Sequence, residues 1–197
     1  MYIPENFNIT EQDEIFSFIE SNGFGQLTSQ VNGRLFSTHV PFLVNRDRTK
    51  LIAHVAKQNP QHTEIEGQEV LITLQGPHDY ISPSWYGSAG VPTWNYQAVH
   101  VYGQCVVFTD VEKLNALVAA LTEKYESTYD NPWQPNFNAA MLTAIVGIEV
   151  SINEIQCKYK LSQNRSSDVD VVTQELKKSG SAQLAGEMLR IKHQVII

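Results

Sequence analysis

Sulfur is scarce in this chain: two cysteines, Cys105 and Cys157, stand among 197 residues. They form no C-x-x-C pair and no dense framework, which argues against a disulfide scaffold and makes a reduced, cytoplasmic compartment the expectation. The six histidines, His39, His54, His62, His78, His100 and His193, make no H-E-x-x-H and no Cys/His quartet, so no metal site is expected. Long apolar runs are missing as well, and nothing approaches the ~20 residues a membrane helix needs. Met1 to Thr10 lacks the basic and apolar regions of a signal peptide. Positive charge is in short supply: 14 Lys and Arg face 21 Asp and Glu, for a net charge of −7. Nucleic-acid affinity rests on cations that neutralise phosphates, so a broad DNA-binding surface is excluded and any contact must come from a local patch. Nucleotide motifs are absent too. Gly23-Phe24-Gly25 is a lone G-x-G with Thr28 where a third glycine would stand, and neither a Walker A sequence nor a G-x-S-x-G elbow occurs.

What is present reads as an ordinary globular chain, 42% hydrophobic and 18% charged. Thr10 precedes acids that suit the positive end of a helix, and Ile15, Phe16, Phe18 and Ile19 give it an apolar stripe ending near Asn22-Gly23. Two β-prone stretches, 24–30 and 35–44, flank Asn32-Gly33, a strong hairpin signal because both residues tolerate positive φ. Further strands are expected at 50–55, 69–75, 98–108 and 148–153. Asp110 caps a helix with apolar positions Val111, Leu114, Leu117, Val118, Leu121 and Tyr125, and a short helix follows near 138–143. From Ser166 the pattern is helical, broken at Ser179-Gly180-Ser181. About six strands, early hairpins and two or three helices predict a mainly β fold, an antiparallel barrel with helices packed outside.

Three stretches carry polar chemistry. In His54 to Gln61 a strand ends, Lys57 follows, and Asn59-Pro60 opens a helix; free amides beside an ammonium suit a terminal phosphate, while a plain strand-to-helix turn with a solvated lysine fits equally. Between Gln75 and Tyr96 aromatics interleave with hydroxyls and amides, either as stacking surfaces for a planar heterocycle or as a proline-pinned packing loop. Lys158 to Arg165 sets three cations among Ser162, Gln163 and Asn164, a possible clamp for a phosphate or ring carbonyl, or a solvated strand exit.

Five pieces occur in order: Thr38-His39-Val40-Pro41-Phe42, His54 to Gln61, Gln75-Gly76-Pro77 with Tyr80-Ile81-Ser82-Pro83, Val91 to Tyr96, and Lys160-Leu161-Ser162-Gln163-Asn164. Together they resemble the PaiB-type family of FMN-binding negative transcriptional regulators, over a span from Met1 to about Arg165. The resemblance implies a split β-barrel related to pyridoxamine-phosphate oxidase, with FMN at a homodimer interface. It places Thr38 and His39 on a strand facing the flavin, and Lys57, Asn59 and Gln61 near the phosphate. Trp94 and Asn95 would reach the flavin of the partner subunit, and Lys160, Ser162 and Gln163 would close the site.

On this reading residues 1–165 form the FMN-binding domain and 166–197 a helical appendage. Lys177, Lys178, Arg190, Lys192 and His193 gather positive charge in the appendage, as a DNA-touching helix pair would or as a packing hairpin would. Three functions stay open: a flavin-binding regulator, a flavin-dependent oxidoreductase of unknown substrate, and a haem-handling relative using His39 or His54. No catalytic residue is indicated by the sequence.

Overall fold

The computed structural model describes residues 1–195, with side chains to His193. Eight strands and five α-helices follow one another among these residues. Helix α1 (Gln12–Ser21) buries Ile15, Phe16, Phe18 and Ile19, the stripe its sequence predicts. It is preceded by the two-residue β1 (Asn8–Ile9), which pairs with β8 (Ile145–Lys160). Strands β2 (Phe24–Val31) and β3 (Arg34–Pro41) form an antiparallel hairpin in which Val31 pairs with Arg34. Asn32 and Gly33 take φ of 51° and 70°, the left-handed geometry that a two-residue hairpin turn requires.

The predicted strand 35–44 is interrupted. Phe42 turns inward, is almost wholly buried, and donates its backbone N–H to the Gly23 carbonyl, leaving β4 (Leu43–Val44) as a separate edge piece. β5 (Lys50–Ala56) pairs with β4 and, from Lys50 to Ala56, with β8. A second difference lies in β6 (Glu69–Ile81) and β7 (Thr93–Phe108), which extend far into the stretch read from sequence as an aromatic loop. Prolines and polar residues there lower strand propensity locally, yet ladder pairing in a sheet outweighs it. The true connection is 82–92, with the short 3₁₀ turn Pro83–Trp85.

The strand order is β3-β2-β6-β7-β8-β5-β4. The chain falls into two compact units: Met1–Phe18, Gln75–Val99 and the described part of Gln156–Ile197 in one, Ile19–Leu74 with His100–Ile155 in the other. In the second unit one face of the strands buries Leu27, Leu51, Ala53, Ile72, Val101, Ile148 and Val150. Helix α2 (Val111–Glu126), capped by Asp110, whose carboxylate accepts from the Lys113 N–H at 2.9 Å, buries Leu114, Leu117, Val118 and Leu121. With α3 (Ala139–Thr143) it builds a satellite core of Leu114, Val118 and Leu142 against Phe108, Phe137 and Ile145. Val111 and Tyr125, at the ends of the predicted stripe, remain exposed.

In the first unit α4 (Val169–Lys178) and α5 (Ala182–Val195) pack on each other through Val172, Leu176, Leu184 and Met188. Phe18 meets the buried ring of Tyr159 at 5.6 Å. A polar tie fixes α5. Arg190 donates twice to the Glu14 carboxylate, at 2.9 and 2.6 Å, and twice to Glu187, which also accepts from the Gln97 amide.

Candidate functional site

The residues named from the sequence divide between the two units, five in each. In the second unit a polar cluster forms around Gln61. Asn59 precedes the 3₁₀ turn Pro60–Thr63, and its side-chain oxygen accepts from the Gln61 N–H at 2.9 Å. Its amide donates to the Thr38 hydroxyl at 2.9 Å, and that hydroxyl donates onward to Gln61 Oε1 at 2.6 Å. Gln61 is fully buried, with its amide donating to the Leu27 carbonyl and the Ser29 hydroxyl. It is therefore the pin that holds the turn to the β2–β3 hairpin, and Thr38 and Asn59 are the polar rim around it. Lys57 stands two residues before Asn59, with its backbone bonded to Ala144 and His62, and its ammonium makes no ion pair among the described residues. His39 projects from the opposite side of β3 to Thr38, as consecutive strand residues must, and stacks on the exposed ring of Phe24 at 6.1 Å.

In the first unit, Trp94 is half exposed, with Tyr80 edge-on at 6.2 Å and His78 tilted at 6.4 Å. Asn95 points the other way and is buried, its amide donating to the Ser162 hydroxyl at 2.9 Å. Lys160 donates to the Trp94 carbonyl at 2.7 Å and to the Thr93 hydroxyl. Burial, and then the neighbouring Lys158 ammonium, pull its pKa below the ordinary lysine value. Gln163 folds back on its own turn: its oxygen accepts from the Leu161 N–H at 2.7 Å and its amide donates to the Tyr159 carbonyl at 2.5 Å. Arg165 lies over the Tyr86 ring at 4.3 Å, donates to the Ala89 carbonyl at 2.7 Å and pairs with Asp168 at 3.4 Å, so it anchors the 82–92 connection.

Thr93, Tyr86 and the buried Lys158 lie in stretches that the sequence marks out, but none was given a role of its own there. A hydroxyl that opens a strand directly after proline, facing a lysine far along the chain, leaves no local signal. Both thiols are buried, which pushes them up to about 12, so neither is a nucleophile at neutral pH. His54 and His100 each keep a buried, unpartnered Nδ1, and burial lowers the pKa of both.

The architecture defines a class first. The fold matches the flavocytochrome Anf3 from Azotobacter vinelandii with a TM-score of 0.65, at 16% identity, covering 78% of this chain and 69% of that one. It matches the FAD and heme binding protein from Mycobacterium smegmatis with a TM-score of 0.62, at 12% identity, over 78% and 73% of the two chains. The fold is a split β-barrel of the flavoprotein type, as the sequence predicted, with its sheet left open. Within that class the chain belongs to the family described as Putative FMN-binding domain, whose pattern matches residues 1–154. It is similar to the Protease synthase and sporulation protein PAI 2 of Bacillus subtilis, 42% identical over 174 residues and covering 84% of each chain. No described helix is long and apolar enough to cross a membrane.

Proposed function

We propose that this protein is an FMN-binding regulator that works as a homodimer, with the flavin phosphate at Lys57 and Asn59 and with Thr38 on the strand that faces the flavin. The observation that carries the phosphate assignment is a lysine with no ion pair among the described residues, two residues before an Asn59 side chain already ordered through Thr38 and the Gln61 N–H. Such pre-ordering lowers the entropic cost of binding a phosphate. The half-exposed Trp94 offers the flavin ring a flat apolar surface, and His39 lies on the strand that would face it. Asn95, Lys160, Ser162 and Gln163 make up the second half of the site, contributed in this reading by the partner subunit. Exposed Phe24 and Leu35 on the β2–β3 hairpin supply apolar area for the dimer contact.

When bound, FMN supplies hydride and electron transfer, and the protein binds and orients it. Residues 1–165 then form the cofactor domain, and α4 with α5 the appendage. The appendage's cations favour a packing role over direct DNA contact. Arg190 is engaged by Glu14 and Glu187, Lys192 by Asp170 and Lys178 by Glu175. That same observation favours, as second reading, a flavin-dependent oxidoreductase whose influence on gene expression is indirect.

The test is a visible-absorption titration with FMN and with riboflavin. Wild type is expected to bind FMN saturably, one per chain, with Lys57→Ala about tenfold weaker for FMN and unchanged for riboflavin, a difference of about 1.4 kcal/mol. Equal affinity of wild type and variant for FMN would remove the phosphate assignment. Salt-dependent DNA binding would favour the regulator acting directly, and FMN-dependent NAD(P)H consumption the oxidoreductase.

A further inference from the structure

The first unit holds a small cavity of about 130 Å³ in which Thr93, Asn95, Lys160, Ser162, Asn164 and Arg165 share the walls with Tyr86 and Val91. That volume is too little for a flavin ring system, since pockets for such ligands run to roughly 300–1,000 Å³. It is ample for one oxyanion.

Its electrostatics are lopsided. Lys160 is half-buried, it makes no ion pair among the described residues, and the charged group acting on it is a second ammonium, that of Lys158. Lys158 is buried, held between the rings of Tyr2 and Tyr96 and bonded to the Tyr2 carbonyl, so it cannot swing away to relieve the repulsion without breaking that packing. Arg165 adds a third cation, partly offset by Asp168. A half-buried cation without a counter-charge is costly, and an incoming anion removes that cost.

The donors are also prearranged. Lys160 spends two of its three hydrogens on Thr93 and the Trp94 carbonyl, which fixes the ammonium and leaves one hydrogen free. The Ser162 hydroxyl accepts from the buried Asn95, so its own hydrogen is directed elsewhere. Ser162 is held at φ 65°, ψ 29°, a left-handed conformation that costs a non-glycine residue free energy. Glycine would adopt it without strain, yet a hydroxyl-bearing residue stands there.

We infer that this cavity is an anion subsite beside the flavin, within the half of the site that closes on the cofactor, and that it takes a phosphate or the phosphate end of a second small ligand. The inference rests on the flavin's own phosphate being held at Lys57. It makes the ligand a substrate or effector with a compact dianionic group, bound by Lys160 and Ser162 and bordered by Arg165.

The experiment is calorimetric titration of the full chain with inorganic phosphate at low ionic strength, without flavin and again with FMN saturating. With FMN saturating the Lys57 turn, saturable phosphate binding is expected, about tenfold weaker in Lys160→Met and unchanged in Lys57→Ala; without flavin, each of the two substitutions is expected to remove a different phosphate site. Should Lys160→Met misfold, Ser162→Gly serves instead, because it removes the hydroxyl while easing the left-handed backbone. It too is expected to weaken phosphate severalfold. Absence of saturable phosphate binding overturns the inference, as does binding that Lys57→Ala abolishes. If FMN instead displaces phosphate, and Lys160→Met weakens FMN but spares riboflavin, the cavity is the flavin's own phosphate site and the inference falls. Failure to bind FMN at all, with phosphate still bound through Lys160, would overturn the flavin assignment alone.

Discussion

At the scale of single residues, the Glu14–Arg190 pair shows how charge is used to fix an element. Burial raises the Glu14 pKa, but the hydrogen bonds from Arg190 and Tyr159 and the Arg190 charge outweigh it and leave the carboxyl below the ordinary glutamate value. A folded-state pKa depressed below the unfolded one gives stability that is present above the unfolded value. It is lost as pH falls through the folded value. Arg190→Met is therefore expected to cost about 1–2 kcal/mol near neutral pH, discounted for the partial exposure of both groups. Its deficit relative to wild type should shrink as pH drops below the glutamate range, which denaturant melts across pH 3–7 would measure. Gly103 makes a different point. A Cβ there would lie 2.1 Å from the Ser151 carbonyl oxygen, a backbone atom that cannot step aside. Gly103→Ala should cost about 1–3 kcal/mol and lower Tm by several degrees.

Elements show which local signals survive in the folded chain. Caps and turns survive well, because their hydrogen bonds lie within a few residues: Asp110 to Lys113 and Asn59 to Gln61 are made as the sequence implies, and Asn138 caps α3 in the same way through Met141. Asp110→Ala is expected to lose about 1 kcal/mol and 2–4 °C of Tm, read by thermal melting. Strand ends survive poorly. The extension of β6 to Ile81 and of β7 back to Thr93 depends on pairing partners many residues away, which no local window contains. The C-terminal segment was legible as two helices about Ser179-Gly180-Ser181, where Gly180 takes φ 95°. Its apolar stripes and its basic residues are both visible in the sequence. Which carboxylates would claim the cations is not.

For the molecule as a whole, net charge and cofactor set the expectations. A chain at −7 with Lys178, Arg190 and Lys192 paired should bind nonspecific DNA weakly at physiological salt, which a filter or anisotropy titration would check. FMN should stabilise the folded state by mass action, about 2.7 kcal/mol at a hundredfold excess over Kd. Lys57→Ala should lower that gain at equal FMN concentration, while leaving the melting of the flavin-free protein within about 0.5 kcal/mol of wild type, because Lys57 is exposed and makes no ion pair among the described residues.

The amino-acid sequence by itself determined the periodicities, the caps, the hairpin turn and the ordered set of short motifs, and these sufficed for a split barrel that binds FMN. Each of those signals is local, or depends on residue order alone. Only the tertiary structure decided what the polar residues do. It spent Gln61 on pinning a turn and Gln163 on closing its own, set Thr38 and His39 on opposite faces, and brought Thr93, Asn95, Lys160 and Ser162 around one cavity. A side chain's role depends on which distant groups have already taken its hydrogen bonds and which charges lie beside it. Those neighbours are chosen by the fold.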